Sequence, residues 1–228
     1  MRIDILTVVP SLLDSPFSDS IIQRARDKGV VDIRMHNIRD WSKDKHKKVD
    51  DEPFGGIAGM VMTIQPILDA IEELQALCSY SEIIYLTPDG EQLKQARVNQ
   101  LSISGNLLII CGHYKGIDQR LRDNVVTLEL SIGDYVLSGG ELAAAVLTDA
   151  VVRLLPGAIG DEQSALTDSF QDQMLAPPVY TRPANYNGWE VPEILRSGDH
   201  AAIQKWMEEQ AYERTKARRP DLLKKDSR

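Results

Sequence analysis

The chain has 228 residues, enough for one large domain or two, and its hydrophobic fraction of 43% is ordinary for a globular protein. Its formal net charge of −8 argues against nucleic-acid binding over most of the surface, and no apolar run reaches the roughly 18 residues that span a bilayer. The two cysteines, Cys78 and Cys111, suit a reducing compartment, so we expect a cytoplasmic protein without a membrane partner.

Strand-like and helix-like patterns alternate over the first 155 residues, which predicts an α/β domain with a mainly parallel sheet. The predicted strands are Ile3–Val9, Val31–His36, Met60–Thr63, Ile83–Leu86, Leu107–Cys111 and Val125–Leu130. The predicted helices are Ser18–Lys28, Pro66–Leu77, Glu91–Leu101 and Gly140–Leu155. The last helix is nearly apolar throughout, so we expect it to be buried in the core or in an interface.

The pattern changes after Pro156 and Gly157, which end that helix. No strand is predicted beyond this point. Residues 192–197 read as a short helix, and Asp199 suits the N-cap of a final helix. That helix carries an apolar stripe typical of a small helical core, formed by Ile203, Trp206, Met207 and Ala211. We predict domains over residues 1–159 and 173–228, joined by a flexible linker over residues 160–172.

Three predicted strands end in glycine- or proline-rich blocks, namely Leu86–Gly90, Cys111–Asp118 and Glu129–Glu141. A strand–loop–helix junction presents free backbone groups at the edge of a sheet, where small ligands bind. The blocks contain neither Gly-x-Gly-x-x-Gly nor a Gly-Lys-Ser/Thr phosphate loop, so they favour a ligand other than a pyrophosphate.

Together these blocks closely resemble those of the bacterial tRNA (guanine-N1)-methyltransferases, the TrmD type of the SPOUT methyltransferases. The resemblance continues, in order along nearly the whole chain, in Asp44–His46, Val49–Asp51, Thr167–Phe170, Tyr180–Pro183 and Arg218–Leu223. It implies a deep trefoil knot in the sheet domain and a small all-helical C-terminal domain that binds tRNA. Periodicity does not reveal a knot, and physical rules alone predict an ordinary doubly wound sheet.

The resemblance also implies that the three blocks hold S-adenosyl-L-methionine. The implied cofactor-binding residues are Leu86, Pro88, Gly112, Tyr114, Ile132, Gly133, Asp134, Tyr135, Val136, Leu137, Gly139 and Gly140. Taken singly, each also suits an ordinary turn. The family pattern has an arginine and a glutamate where this chain has His113 and Lys115. Because that glutamate is replaced by a lysine, the sequence leaves a Mg²⁺ requirement open, and the four scattered histidines form no metal motif.

Methylation of guanine at N1 requires a base to remove the N1 proton and a cation to stabilise the charge that develops on O6. By resemblance, Asp168 is the base and Arg153 is the cation. Each residue also has a purely structural interpretation. Asp168 suits a helix cap, and Arg153 suits the negative end of a helix dipole, although a lone charge among apolar residues needs a partner.

Two stretches are more basic than the rest: residues 34–48 carry a local charge of +4 and residues 199–228 a local charge of +2. They suit a phosphate backbone, and equally a solvated loop and helix face. Aromatic residues near them are candidates for stacking on a splayed base: Trp41, Phe170, Tyr180 and Trp189. The resemblance implies a tRNA anticodon stem-loop as partner and a homodimer with its active site at the subunit interface.

The favoured hypothesis is therefore methyl transfer to N1 of the guanosine at tRNA position 37, immediately 3′ of the anticodon. Three alternatives stay open at this point. They are a SPOUT methyltransferase that acts on another RNA or base atom, a non-catalytic RNA-binding relative, and an unrelated nucleotide-binding α/β protein.

Overall fold

A computed structural model describes residues 1–160 and 168–223 of the chain. The chain forms two compact units, Met1–Glu162 and Gln163–Arg228. Residues 161–167, the greater part of the predicted linker, lie outside the described residues.

Residues 1–160 of the first unit contain seven strands, and five of them form one sheet. The strands are β1 (Arg2–Thr7), β2 (Asp32–Asn37), β3 (Asp50–Asp51), β4 (Val61–Met62), β5 (Tyr80–Gln92), β6 (Asn106–Cys111) and β7 (Leu128–Ser131). The sheet has the order β2-β1-β6-β5-β7, and every neighbouring pair is parallel, which confirms the predicted mainly parallel sheet. The predicted strand Met60–Thr63 is shortened to β4, its two central residues. This strand pairs with β3 and lies outside the five-stranded sheet.

Six helices of the first unit cover the sheet. They are α1 (Asp14–Phe17), α2 (Ser20–Asp27), α3 (Ile64–Leu77), α4 (Gln95–Ser102), α5 (Gln119–Asn124) and α6 (Glu141–Val152). Alternate residues of the central strands enter two separate hydrophobic cores. Ile109 of β6 packs with α2, α4 and α6, whereas Leu108 and Ile110 pack with α3 and α5. Burial on both faces explains why these strands are nearly continuous apolar runs.

Strand β5 is longer than its apolar segment. It continues to Gln92 through a bulge, because both Leu86 and Glu91 pair with Leu130 of β7. The predicted helix start at Glu91 is therefore wrong, and α4 begins at Gln95. A bulge adds residues to one strand, and the pairing with the neighbouring strand resumes beyond them. The Pro-Asp-Gly sequence, which indicated the end of a strand, therefore interrupts β5 without ending it.

Within a single chain, helix α6 is buried on one face only, so its predicted burial is met there by the core of the first unit and on its other face stays a prediction of an interface. One face, including Ala144 and Leu147, lies in the core of the first unit. On the opposite face Leu142 and Val146, one turn apart, are 55% and 49% exposed. An apolar helix face that is exposed within one chain is a candidate for contact with another molecule.

The second unit contains a long helix, α7 (His200–Arg218), and a small hairpin of β8 (Asn185–Tyr186) and β9 (Trp189–Glu190). Asp199 caps α7 as predicted, since its carboxylate accepts a hydrogen bond of 3.1 Å from the Ala202 N–H. The hairpin was not predicted, because two-residue strands leave no periodic pattern. Its signal is the Asn187-Gly188 pair, which has the positive φ angles typical of tight hairpin turns.

In residues 1–160 and 168–223, no helix is both long enough and apolar enough to cross a membrane. The same residues contain no cluster of three or more His, Cys, Asp or Glu side chains suited to a metal ion.

Candidate active site

A cavity of about 470 Å³ lies at the carboxyl ends of β5, β6 and β7. Its walls are the β5 bulge (residues 87–90), the β6 loop (residues 112–117) and the β7 loop (residues 132–140). This edge of a parallel sheet is where α/β proteins bind ligands, and the volume lies within the roughly 300–1,000 Å³ of small-molecule sites. The structure thus brings the three predicted blocks together around one cavity.

Most of the predicted cofactor-binding residues line this cavity. They are Leu86, Pro88, Gly112, Tyr114, Ile132, Gly133, Tyr135, Val136, Leu137, Gly139 and Gly140. Asp134 is the exception, because its exposed side chain lies outside the lining although both of its chain neighbours contribute to it. The lining defines a space of suitable size and position, and the identity of its ligand stays a prediction.

The β5 bulge carries a charged cluster that the sequence analysis missed. The Arg122 guanidinium lies 2.7 Å from each carboxylate oxygen of Glu129 and 2.8 Å from Asp89, and it stacks over the Tyr85 ring. Hydrogen bonds from Thr87 and Arg122 lower the pKa of Asp89. Arg122 gave no local signal, because its partners are separated from it along the chain and only the fold assembles them.

The β6 loop is held against β4 by main-chain hydrogen bonds. The Lys115 N–H donates to the Met60 carbonyl at 3.0 Å, and the Met62 N–H donates to the Gly116 carbonyl at 2.9 Å. Lys115 lines the cavity with an exposed side chain, so the charge reversal inferred from the sequence does lie beside the candidate ligand site. Tyr114 adopts a positive φ of 59° and is half-exposed at the same wall.

The β7 loop lies directly against the β6 loop. The Gly140 N–H donates to the Gly112 carbonyl at 2.9 Å, and a β-bridge joins His113 to Gly139. A Cβ at Gly140 would lie 2.8 Å from the Cys111 Cα atom, so this approach requires glycine. Close contact between the two loops fixes one wall of the cavity to the other.

A buried carboxylate lies beneath this contact. Glu141 is 1% exposed, and its oxygens lie 2.7 and 2.9 Å from His113 Nε2. Both residues lie within the glycine-rich blocks, and no role was predicted for either of them. Burial raises the pKa of the neighbouring Cys111 thiol, and the charge of Glu141 raises that pKa further, so Cys111 is a core residue and not a reactive thiol.

Arg153 lies at the other end of α6 from the cavity. Ala143 lines the cavity, whereas Arg153 caps the helix C-terminus and does not line it. At a rise of about 1.5 Å per residue, about 15 Å of helix separates the two residues. The structure therefore does not bring the predicted O6-stabilising cation into the cavity of its own chain.

Asp168 belongs to the second unit, where residues 168–174 form turns. The interpretation of Asp168 as a helix cap is therefore wrong. The loop is joined internally by a hydrogen bond of 2.7 Å from the Phe170 N–H to the Met174 carbonyl. The Arg219 guanidinium stacks on the Phe170 ring and pairs with Asp221, so this aromatic ring is not free to stack on a base from that side.

Part of the charge in each of the two basic stretches is paired with nearby carboxylates. Lys43 and Lys47 of the first stretch are exposed but pair with Asp69 and Asp40, at 2.7 and 3.2 Å. Trp41 donates to Glu73 and packs on the core, so it also has a structural role. In the second unit all three predicted candidates have exposed rings: Trp189, Tyr180 and Phe170 are 75%, 48% and 40% exposed.

Comparison with known proteins agrees with the resemblance that the sequence shows. Residues 1–225 match the model of the family described as tRNA (Guanine-1)-methyltransferase TrmD. Proteins named tRNA (guanine-N(1)-)-methyltransferase are similar over the whole length. The one from Christiangramia forsetii is 62% identical over 98% of this chain and 99% of its own. Those from Bacteroides fragilis and Porphyromonas gingivalis are 60% and 57% identical, over 98% of this chain and 99% and 100% of theirs.

Proposed function

The chain belongs to the TrmD family of tRNA (guanine-1)-methyltransferases, and on that premise we propose that it methylates N1 of the guanosine at tRNA position 37. The methyl donor is S-adenosyl-L-methionine, which supplies an already activated methyl group on its sulfonium. The observation that carries this proposal is the convergence of the three family blocks on one cavity of about 470 Å³.

The cavity suits this donor. Its β6 and β7 loops approach each other through Gly112 and Gly140, and apolar side chains such as Leu86 and Leu137 complete the walls. The lining includes both apolar surface and charged groups, as sites for amphipathic ligands do. A trefoil crossing of the β6 and β7 loops is part of the proposal, and it is supported by their direct hydrogen bonding and by the family membership.

In the proposed reaction, Asp168 accepts the proton from guanine N1, and Arg153 stabilises the negative charge that develops on O6. The first step exposes the N1 lone pair to the methyl group. A positioned base contributes about 10²–10⁴ in rate, and a fixed cation acts on the charge only as it forms. Both roles are inferred from the family motifs that the surrounding residues resemble, and membership of the family supports them.

We place the active site between two copies of the chain in a homodimer. Arg153 does not line the cavity of its own chain, so a second copy is the natural source of this residue. The exposed face of α6, with Leu142 and Val146, offers an apolar surface on the helix that runs from the cavity to Arg153. Two-fold symmetric dimers are the commonest soluble oligomers, and such a dimer would bury this surface.

The proposed organisation follows the predicted domains. Residues 1–159 bind the cofactor, residues 160–172 link the units, and residues 173–228 bind the tRNA anticodon stem-loop. The exposed rings of Trp189 and Tyr180 support base stacking in the second unit. A tRNA substrate places the enzyme in the cytoplasm. The chemistry needs no metal ion in principle, so a Mg²⁺ requirement is left to experiment.

The test is transfer of labelled methyl from S-adenosyl-L-methionine to two tRNA transcripts that differ only in guanosine or adenosine at position 37. We expect labelling of the guanosine transcript alone, recovered as 1-methylguanosine after digestion. Labelling of both transcripts, or label in another nucleoside, would contradict the assigned position or atom. Cofactor binding without transfer to either transcript would instead favour a non-catalytic relative.

A further inference from the structure

A hydrogen-bonded network at the contact between the β6 and β7 loops extends to strand β1. Thr7, the last residue of β1, donates its hydroxyl proton to Glu141 Oε1 at 2.5 Å. The same hydroxyl accepts the Val9 N–H at 2.9 Å. Glu141 lies in the first turn of α6, directly after the β7 loop. One carboxylate therefore joins β1, the β6 loop and the β7 loop.

The Glu141 side chain needs these partners. It is 1% exposed, and a buried charge is strongly unfavourable unless hydrogen bonds replace its water. A carboxylate only accepts hydrogen bonds, so His113 must carry a proton on Nε2, the atom 2.7 and 2.9 Å from the two oxygens. Thr7 and His113 thus supply two donors to one buried group.

Gly139 has no space for a side chain. A Cβ atom added there would lie 2.5 Å from the His113 ring and 2.5 Å from Glu141 Oε2. The imidazole and the carboxylate therefore fill the volume that a side chain at Gly139 would need. His113 and Gly139 both line the cavity, so the position of this pair sets the position of two cavity walls.

We propose that Thr7, His113 and Glu141 form a positioning network that holds the β6 and β7 loops at the separation required by the cofactor. Thr7 anchors the carboxylate to the sheet, Glu141 orients the imidazole, and His113 fixes the β6 loop. None of the three need touch the reacting atoms. The inference rests on the proposed function, because it takes the cavity to be the site of S-adenosyl-L-methionine.

This network makes a prediction that differs from general destabilisation. If it sets the separation of two cavity walls, weakening it raises the KM for S-adenosyl-L-methionine and leaves the KM for tRNA and the saturated kcat nearly unchanged. That split indicates the loss of an interaction that acts in binding and not in the chemical step. A variant that merely unfolds more easily would lower the active fraction and leave both KM values unaltered.

The sharpest variant is Thr7→Val, which keeps the shape of the side chain and removes the hydroxyl. Thr7→Ser restores the hydroxyl and serves as the rescue. Thr148→Val in α6 is the matched control, because Thr148 is equally buried and its hydroxyl has no hydrogen-bond partner in residues 1–160 and 168–223. For each variant, the dissociation constant of S-adenosyl-L-methionine is measured by calorimetry, with both KM values and the thermal midpoint of the cofactor-free protein.

We expect Thr7→Val to bind the cofactor about tenfold more weakly, as the loss of a hydrogen bond to a charged group implies, and Thr7→Ser and Thr148→Val to bind it normally. Cofactor affinity of Thr7→Val equal to that of Thr148→Val would overturn the network, as would equal changes in the two KM values. A wild-type protein that binds no cofactor would overturn the proposed function together with the network. The two failures are therefore distinguishable.

Discussion

The backbone N–H of Leu175 donates a hydrogen bond of 2.9 Å to the side-chain hydroxyl of Thr215, forty positions later in the chain. Thr215 is fully buried in α7 and donates in turn to the Ala211 carbonyl at 2.7 Å. A second bond, from the Ala176 N–H to the Ser169 hydroxyl, closes the segment that begins at Asp168. The loop that carries the proposed base is thus attached to the helix of its own unit.

Replacement of Thr215 by valine tests this attachment. The isosteric side chain fills the same space but cannot accept from Leu175, and loss of such a bond costs about 1 kcal/mol. We expect faster hydrogen exchange at the Leu175 amide, measured by NMR, and slower methyl transfer at saturating substrates. Thr215→Ser retains the hydroxyl and is the control. Unchanged exchange at Leu175 in the valine variant would show that the bond does not hold the loop.

Asp168→Asn separates the proposed base from its surroundings. The amide keeps the shape of the carboxylate but does not take up the guanine N1 proton. We expect the single-turnover rate to fall by about 10²-fold or more, while the affinity for S-adenosyl-L-methionine stays that of the wild type. Rapid-quench kinetics and calorimetry measure the two quantities. Near-normal turnover would remove Asp168 from the role of base.

Subunit mixing tests whether Arg153 acts on the cavity of the partner. Arg153→Ala removes the cation, and Pro88→Trp places a bulky side chain in the cavity from the exposed β5 bulge. Each variant alone is expected to be inactive. If sites are shared, a mixed dimer contains one site built from an intact cavity and an intact Arg153. An equal mixture, unfolded and refolded together, should then recover about a quarter of the wild-type activity.

The matched control is each variant refolded alone at the same total concentration. Recovery in the mixture but in neither control would support a shared active site. Mixtures that stay inactive, although mass spectrometry detects mixed dimers, would mean that each chain supplies both the cavity and the arginine of one site.

The sequence predicted the parts of this fold that local patterns encode. The apolar strand Leu107–Cys111 and the turn residues after it were recognised because burial and backbone geometry restrict which residue types fit. The β5 bulge was not predicted, and the sequence did not decide which face of α6 packs in the core, because both depend on what packs against them. Arg122 is the clearest case, since Glu129 and Asp89 become its partners only when β5 and β7 pair.

A second buried carboxylate, Asp4 on β1, governs the expected stability in acid. It is fully buried and accepts hydrogen bonds from Arg2, from His36 at 2.6 Å and from Tyr80 at 2.7 Å. Burial alone would raise the pKa of Asp4, but the hydrogen bonds from His36, Arg2 and Tyr80 outweigh it and lower that pKa to about 2. His36 is therefore a structural residue, because its imidazole supplies a hydrogen bond to the buried Asp4 carboxylate.

Because the pKa of Asp4 is lower in the folded state than its ordinary value of 3.8, ionised Asp4 stabilises the fold above about pH 4, and this contribution is lost as the pH falls towards 2. The difference corresponds to about 2 kcal/mol at neutral pH.

We expect Asp4→Asn to lower the free energy of unfolding in urea at pH 7 by at least about this amount, since three donors lose an ionised acceptor. Between pH 4 and pH 2 the variant should lose less stability than the wild type. Asp32→Asn is the control, because Asp32 is exposed where it pairs with Arg34 at 2.7 Å and exposed pairs contribute at most about 1 kcal/mol. Parallel losses of stability in acid for Asp4→Asn and the wild type would mean that other carboxylates, and not Asp4, control unfolding in this range.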